Sequence, residues 1–296
     1  ATKGKCENTC TPTCPTGGVC GGSDGCGGTC GCSGDNICVE GTCTPCTVTC
    51  TGNAATCGTA LQATLSGTMS GTVYICPGLY SSTSGFTQQA GVNLYGAGSG
   101  SDQASNTILD ALGTSTITTL NASSGPLTTT ISGLRITGGN GTTVGGLNTL
   151  ALVGPMAVDK CAIVGNTGGQ YGGALFIGVT ELKNSTISGN TGTASTGGPA
   201  FLLPSVQAAT ITNCVIDDNT GGQFGGVLGS VPIAGATLTV DAATKITNNK
   251  FTAGAGDRAS GIGHPTTDSG TITVNGTTIT GNTPNPQCLG VTGCSV

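Results

Sequence analysis

The residues able to do chemistry are few and unevenly placed. Seventeen cysteines, thirteen carboxylates and one histidine occur in 296 residues. Eleven cysteines fall in the first fifty: Cys6, Cys10, Cys14, Cys20, Cys26, Cys30, Cys32, Cys38, Cys43, Cys46 and Cys50. Between them stand Gly, Thr, Pro and Ser, with almost nothing apolar. Such a segment cannot bury a core, so crosslinks must hold it. Disulfides would do so and would imply an oxidising, extracellular compartment. Zinc is the rival reading, since Cys43-Thr-Pro-Cys46 has ligand-like spacing. The segment has no His and no second clean Cys-x-x-Cys pair, which favours disulfides. An odd number also requires at least one of the eleven to stay free, to bond outside the segment or to reach another subunit.

The remaining six cysteines carry separate expectations. Cys76 closes the strand-like run Val73-Tyr-Ile-Cys76 and is the natural partner for Cys57. Cys288 is expected to pair with Cys294. Cys161 and Cys214 occupy the same place in two copies of a repeated phrase with a third copy between them. They should lie about two strand spacings (~9.6 Å) apart, too far to bond, and are expected as buried free thiols.

Catalysis needs convergent groups. The adjacent carboxylates are Asp217 and Asp218, the histidine is His264, and the arginines are Arg135 and Arg258. Glycosidic hydrolysis needs two carboxyls, one kept protonated by its surroundings. Asp217 and Asp218 sit inside a turn phrase whose other copies read Ser188-Gly189 and Val164-Gly165, and His264 lies one to two repeats away. A solvated turn pair and a loop histidine describe them better than a catalytic site. No phosphate-binding Gly-rich loop, His-Glu metal motif or Gly-x-Ser-x-Gly elbow occurs. The expectation is no enzyme, no cofactor and no bound metal.

These residues must be positioned by a repeat. The phrase Cys161-Ala-Ile-Val-Gly-Asn166-Thr-Gly returns as Cys214-Val-Ile-Asp-Asp-Asn219-Thr-Gly, with shorter versions around Ile187, Ile246 and Ile279 and an earlier one at Leu134-Arg-Ile136-Thr-Gly-Gly-Asn140. The isoleucines Ile163, Ile187, Ile216, Ile246 and Ile279 are spaced by 24, 29, 30 and 33 residues. Such a period marks a repeat architecture. Fifty-five glycines, 7% charged residues and short β-branched runs bounded by turn residues exclude helical repeats and point to strands. The fold expected is all-β: a right-handed parallel β-helix (β-solenoid) of about seven or eight coils, each burying its face only by stacking on the next. The isoleucines would form an internal ladder. Asn166, Asn190, Asn219, Asn249 and Asn282 would form an amide ladder at a sharp, left-handed turn. Leu175, Leu202, Leu228 and Ile262 would supply a second core row, and the Gly-Gly pairs would permit bends with positive φ. Residues 1–50 form a disulfide-stapled module. Residues 51–296 form the solenoid, with an N-terminal cap at 51–72 that includes a short helix over Cys57–Leu65, and a disulfide-closed end at 285–296.

The runs Gly71-Thr-Val-Tyr-Ile-Cys-Pro-Gly78, Val92-Asn-Leu-Tyr-Gly-Ala-Gly98, Asn106-Thr-Ile-Leu-Asp110 and Ile131-Ser-Gly-Leu-Arg-Ile-Thr-Gly-Gly139 resemble the opening coils of right-handed, pectate-lyase-like parallel β-helix proteins. The later Ile-Ser-Gly-Asn-Thr and Gly-Gly-Ala-Leu phrases resemble repeats of polymorphic outer-membrane-type surface proteins. Gly21-Gly-Ser-Asp-Gly-Cys-Gly-Gly-Thr-Cys-Gly31 resembles a small Cys-rich module of secreted proteins. The resemblance implies the fold over roughly residues 55–285. It departs from both groups, because the lyase arginine motif is missing and no barrel-like set of long strands follows.

The expected function is that of a secreted structural or adhesive protein, a self-assembling subunit of an extracellular filament, sheath or surface layer. The alternative is a carbohydrate-binding or polysaccharide-degrading β-helix. The partner expected is the chain itself, through the solenoid ends and the N-terminal module, with cell-surface polysaccharide as a further one. A net charge of −5 argues against nucleic acid. No apolar stretch is long enough for a secretory signal or a membrane span, and Ala1 reads as the product of signal cleavage. Asn121, Asn140, Asn184 and Asn275 head glycosylation sequons. Thr-x-Thr phrases at Thr116, Thr128, Thr237 and Thr271 do not recur at one place in successive coils. That argues against a lattice-matching array and leaves exposed β positions as their role.

Overall fold

A computed structural model describes Cys20, Cys32 and residues 35–114, 116–120, 128–149, 155–177, 179–202, 208–232, 234–252 and 256–294. Cys6, Cys10, Cys14, Cys26, Cys30 and Asn121 lie outside the described residues. The chain is a parallel β-solenoid of about seven turns. Each turn adds one strand to each of three long sheets. The first has nine strands, from Gly71–Ile75 to Val291–Thr292; the second has eight, from Gly78–Ser81 to Thr278–Thr280; the third has eight, from Phe86–Gln89 to Cys288–Leu289. A short five-stranded sheet, Asn140–Gly141 to Lys250–Phe251, lines the corner between the second and third.

The strands form because their inward residues stack in rows. In the second sheet the row runs Tyr80, Leu109, Ile136, Ile163, Ile187, Ile216, Ile246, Ile279 in unbroken register. In the first it runs Val73, Leu94, Ile131, Val158, Leu182, Ile211, Val240, Val274. Both rows belong to one buried core. Branched side chains pack well on a pleated surface, and each coil covers the apolar face of its neighbour.

The second strand of the repeat departs from expectation. Ile262 lies in the main core, in register with Val227. Leu175 and Leu228 sit one position away, in a separate cluster with Val144, Ala200, Phe224 and Ala259. One residue of register reverses the face a side chain occupies. The backbone of Leu202 pairs with Ile177 and Ser230, so it belongs to neither row.

Two conformational expectations are also corrected. The left-handed residue at the corner is the one before the ladder asparagine: Gly165, Gly189, Asp218, Asn248 and Gly281 all have positive φ, between 53° and 70°. Among the described residues the Gly-Gly pairs from Gly145-Gly146 to Gly225-Gly226 are not left-handed. Their need is space: a Cβ on Gly172 would overlap the backbone of Thr191, and one on Gly225 that of Lys250. Close backbone approach, rather than positive φ, requires glycine there.

The N-terminal end is covered. Helix α1 (Ala54–Gly67) starts at Asn53, whose side chain accepts from the Thr56 amide at 3.0 Å, and it buries Cys57, Gly58, Leu61 and Leu65. It is longer than the expected span at both ends. Val48 pairs with Ile75 and so shields the edge of the first sheet. Before it, strands β1 (Asn36–Val39) and β2 (Thr42–Pro45) form an antiparallel hairpin.

Candidate functional site

The cysteines of the hairpin are crosslinked as Cys20–Cys38 and Cys32–Cys43. The expected Cys57–Cys76 bond does not form: Cys57 bonds Cys50, and Cys76 bonds Cys46. The helix approaches the hairpin end of the chain, so Cys50 reaches Cys57 only seven residues on, while the pairing of Val48 with Ile75 brings Cys46 to Cys76. Two of the eleven N-terminal cysteines therefore bond outside residues 1–50. The sulfurs of Cys20, Cys32 and Cys43 lie within 4.8 Å of one another, but each is spent in a disulfide and offers no thiolate to a metal. Cys43 and Cys46 go to different partners, so the Cys-x-x-Cys pair is not a ligand pair. Cys288 bonds Cys294, with Cα atoms 6.6 Å apart.

Cys161 and Cys214 are buried and free. Ser185 stands between them: it accepts from the Cys161 amide through its hydroxyl at 3.1 Å and from the Val215 amide through its carbonyl. Burial pushes the Cys161 thiol up to about 12 and the Cys214 thiol up to about 11. Such thiols are protonated, inaccessible and unsuited to nucleophilic chemistry.

The asparagine ladder is continuous. Each Nδ2 donates to the next Oδ1: Asn166 to Asn190 at 3.0 Å, and Asn190 to Asn219, Asn219 to Asn249 and Asn249 to Asn282 at 2.9 Å. Each Nδ2 also donates to the isoleucine carbonyl of the preceding coil, as Asn219 does to Ile187. All five side chains are buried and satisfied, which is a structural role. Asn140 is not a rung. It pairs with Thr167, so Gly139 occupies the ladder position, and the Gly139 amide and the Thr116 hydroxyl close the ladder on Asn166.

The suspected catalytic residues do not converge. Asp217 Oδ1 accepts from Thr247 Oγ1 at 2.6 Å and from Asn248 Nδ2 at 2.8 Å, within the second sheet and its corner. Asp218 is an exposed left-handed turn residue. His264 follows the third sheet, buried with 6% of its surface exposed, and its Nε2 is unpartnered among the described residues. Arg258 lies over the Phe251 ring at 5.7 Å, and Arg135 is on the outward side of the second sheet. Among the sequon residues, Asn140 and Asn275 are exposed. Asn184 is exposed but engaged: it donates to Asp159 Oδ1 at 2.8 Å and accepts from Asn213.

The structure instead assembles a cleft that motif reading missed. It has a volume of about 400 Å³ and lies between the hairpin tip and the outer face of the first sheet. The wall is Cys38, Val39 and Glu40. The floor carries Tyr95, Thr130 and Ser132, and beyond them Asp159, Lys160, Glu181 and Lys183. In register, Tyr95 is followed by Ser132, Asp159 and Lys183 on successive strands. Lys183 pairs with Glu181 at 2.8 Å, and that bond, with the nearby charges of Glu181 and Asp159, holds its ammonium above the usual value. Burial first, and then the charge of Glu40 across the cleft, raise the Tyr95 hydroxyl. The Tyr95 ring packs on Tyr74 at 5.9 Å. Five of the chain's 21 charged residues line this one cleft. The signal in the sequence was the pairing of Asp159-Lys160 with Glu181-x-Lys183 in a charge-poor chain.

The outer face of the first sheet also corrects the reading of the threonines. Thr237 and Thr239 pair in register with Thr271 and Thr273, and Thr210 and Thr292 extend the second of these rows. Unequal coil lengths hid this alignment in the linear sequence.

Compared with family models, with curated proteins and with solved structures, the chain matches none. The likeness to pectate-lyase-type helices and to surface proteins therefore rests on the solenoid alone.

Proposed function

We propose that the chain is an extracellular structural and adhesive protein, a stiff rod that presents polar faces and associates with copies of itself. The carrying observation is the continuous ladder of buried asparagines and isoleucines, crosslinked at both described ends. Nine strands of one sheet give a rod about 38 Å long. The disulfides favour an oxidising compartment, and no helix among the described residues is long and apolar enough to cross a membrane.

Because α1 and Val48 cover the N-terminal strand edges, direct stacking of solenoid ends is disfavoured there. The crosslinked module at that end is the contact this reading prefers. Light scattering and negative-stain electron microscopy of the purified full chain, together with attachment to polysaccharide-coated surfaces, test the proposal. Oligomers or filaments with surface attachment are expected. A protein that stays monomeric at every concentration and attaches to nothing would overturn it.

A further inference from the structure

We infer that the cleft between the β1–β2 hairpin and the first sheet binds a short stretch of neutral or N-acetylated oligosaccharide. The inference rests on the adhesive reading only for what that binding accomplishes.

Its chemistry follows from the groups that meet there. Sugars present apolar ring faces and a rim of hydroxyls that both donate and accept. Tyr95 supplies an aromatic surface braced by Tyr74. Glu40 and Asp159 are acceptors, Lys160 is a donor, and Thr130 and Ser132 are both. Hydrogen bonds to ionised groups are the stronger kind, and they suit hydroxyls. Among the described residues the single ion pair is Lys183–Glu181, so Glu40 and Lys160 have no ionic partner among those residues. The volume suits a ligand of a few sugar rings.

Other occupants fit less well. Three carboxylates against two ammonium groups disfavour polyuronates and other polyanions. The carboxylates do not gather closely enough to hold a metal ion, since the one close cluster of ligand-type atoms among the described residues is the disulfide sulfurs. An apolar peptide would strand these charges without water.

The wall is also held in place before any ligand arrives. Cys20–Cys38 braces the strand that ends at Val39, just before Glu40, and Cys46–Cys76 ties the hairpin to the first strand of the floor sheet. A preformed cleft loses little freedom on binding.

The test is calorimetric titration of the full chain with cellotetraose, xylotetraose, N-acetylated chitotetraose and tetragalacturonate. At least one of the first three is expected to bind. Tyr95→Ala and Glu40→Gln should each weaken that binding by roughly tenfold or more. Thr273→Ala, further along the same face, should leave it unchanged. Glu40→Gln keeps the shape of a turn residue outside the core, so matching thermal melts will separate lost contacts from lost fold. No binding of the neutral tetramers at millimolar concentration, binding that survives both cleft variants, or preference for tetragalacturonate would each overturn the inference. Tetramer binding by a protein that attaches to no surface would overturn the adhesive reading and leave the cleft standing. Surface attachment without any tetramer bound would do the reverse.

Discussion

The N-terminal hairpin and the solenoid body solve the same problem in opposite ways. Among the described residues the hairpin and its junction carry four disulfides, and the hairpin strands bury little besides Ile37. The body, from Gly78 to Asn282, holds two cysteines, and both are free. Order there comes from stacking: each coil supplies the partner for the next coil's backbone, isoleucine and asparagine. A crosslink stabilises chiefly by restricting the unfolded chain. A ladder stabilises by satisfying groups that would otherwise be buried and unpaired. The first should be local and sensitive to reductant, the second continuous along the rod and indifferent to it.

The sharpest way to break the comparison is a rung in mid-rod. Asn219→Ala removes an Oδ1 that accepts from the Asn190 amide and Nδ2, and an Nδ2 that donates to Ile187 and Asn249. Loss of about 4 kcal/mol is expected, because several buried groups are left unpaired at once. Denaturant unfolding gives the number, and a change below about 1 kcal/mol would mean that the ladder is not what holds the coils. Ile216→Ala, beside it in the core, should cost about 3 kcal/mol by opening a cavity.

The corresponding cut in the module is Cys46→Ser with Cys76→Ser. A loss of about 2 kcal/mol is expected. Hydrogen exchange should quicken at Thr47 and Val48, whose amides bond the Tyr74 carbonyl, while the amides around Ile216 keep their protection. Equal quickening in both places would show that module and body unfold as one unit.

Alkaline pH probes the two free thiols. Their folded values are raised from 9.0 to about 12 for Cys161 and about 11 for Cys214. A raised acid keeps its full contribution below its unfolded value and loses it as pH climbs through the folded one. Stability should therefore hold up to about pH 9 and fall between about 9 and 12. The Cys161→Ala, Cys214→Ala protein should show a shallower fall in melting temperature, and an identical slope would remove the thiols as its cause. A thiol reagent should find these two only after denaturation.

The smallest effect belongs to Lys183→Ala. Its ion pair with Glu181 is more than a third exposed, so stability should change by at most about 0.5 kcal/mol. A large loss would place the charged cleft among the elements that hold the fold.

Much of the body was legible in the sequence. Ile163, Ile187, Ile216, Ile246 and Ile279 stack in register, and the asparagines three residues on join amide to amide. In the earliest phrase one inserted residue takes Asn140 off the ladder, and Leu175 falls outside the core row expected of it because a one-residue offset reverses the face. The cleft was not legible as a site. Glu40 stands more than fifty residues from Tyr95, which stands more than sixty from Asp159.

The sequence by itself determined the period, the strand character, the identity of the ladder residues and the dependence of the first fifty residues on crosslinks. These are nearest-neighbour properties: a coil's composition dictates what the next coil must supply, and a segment without apolar residues cannot build a core whatever its surroundings. Tertiary structure alone decided which cysteines meet, which glycines serve close approach rather than a left-handed turn, which threonines align, and that a hairpin tip carrying Glu40 faces four charges and a tyrosine across a cleft. Each of those depends on coil lengths and on how the module folds back over the first sheet. Such angles and offsets arise from the summed packing of many residues, and no local phrase encodes them.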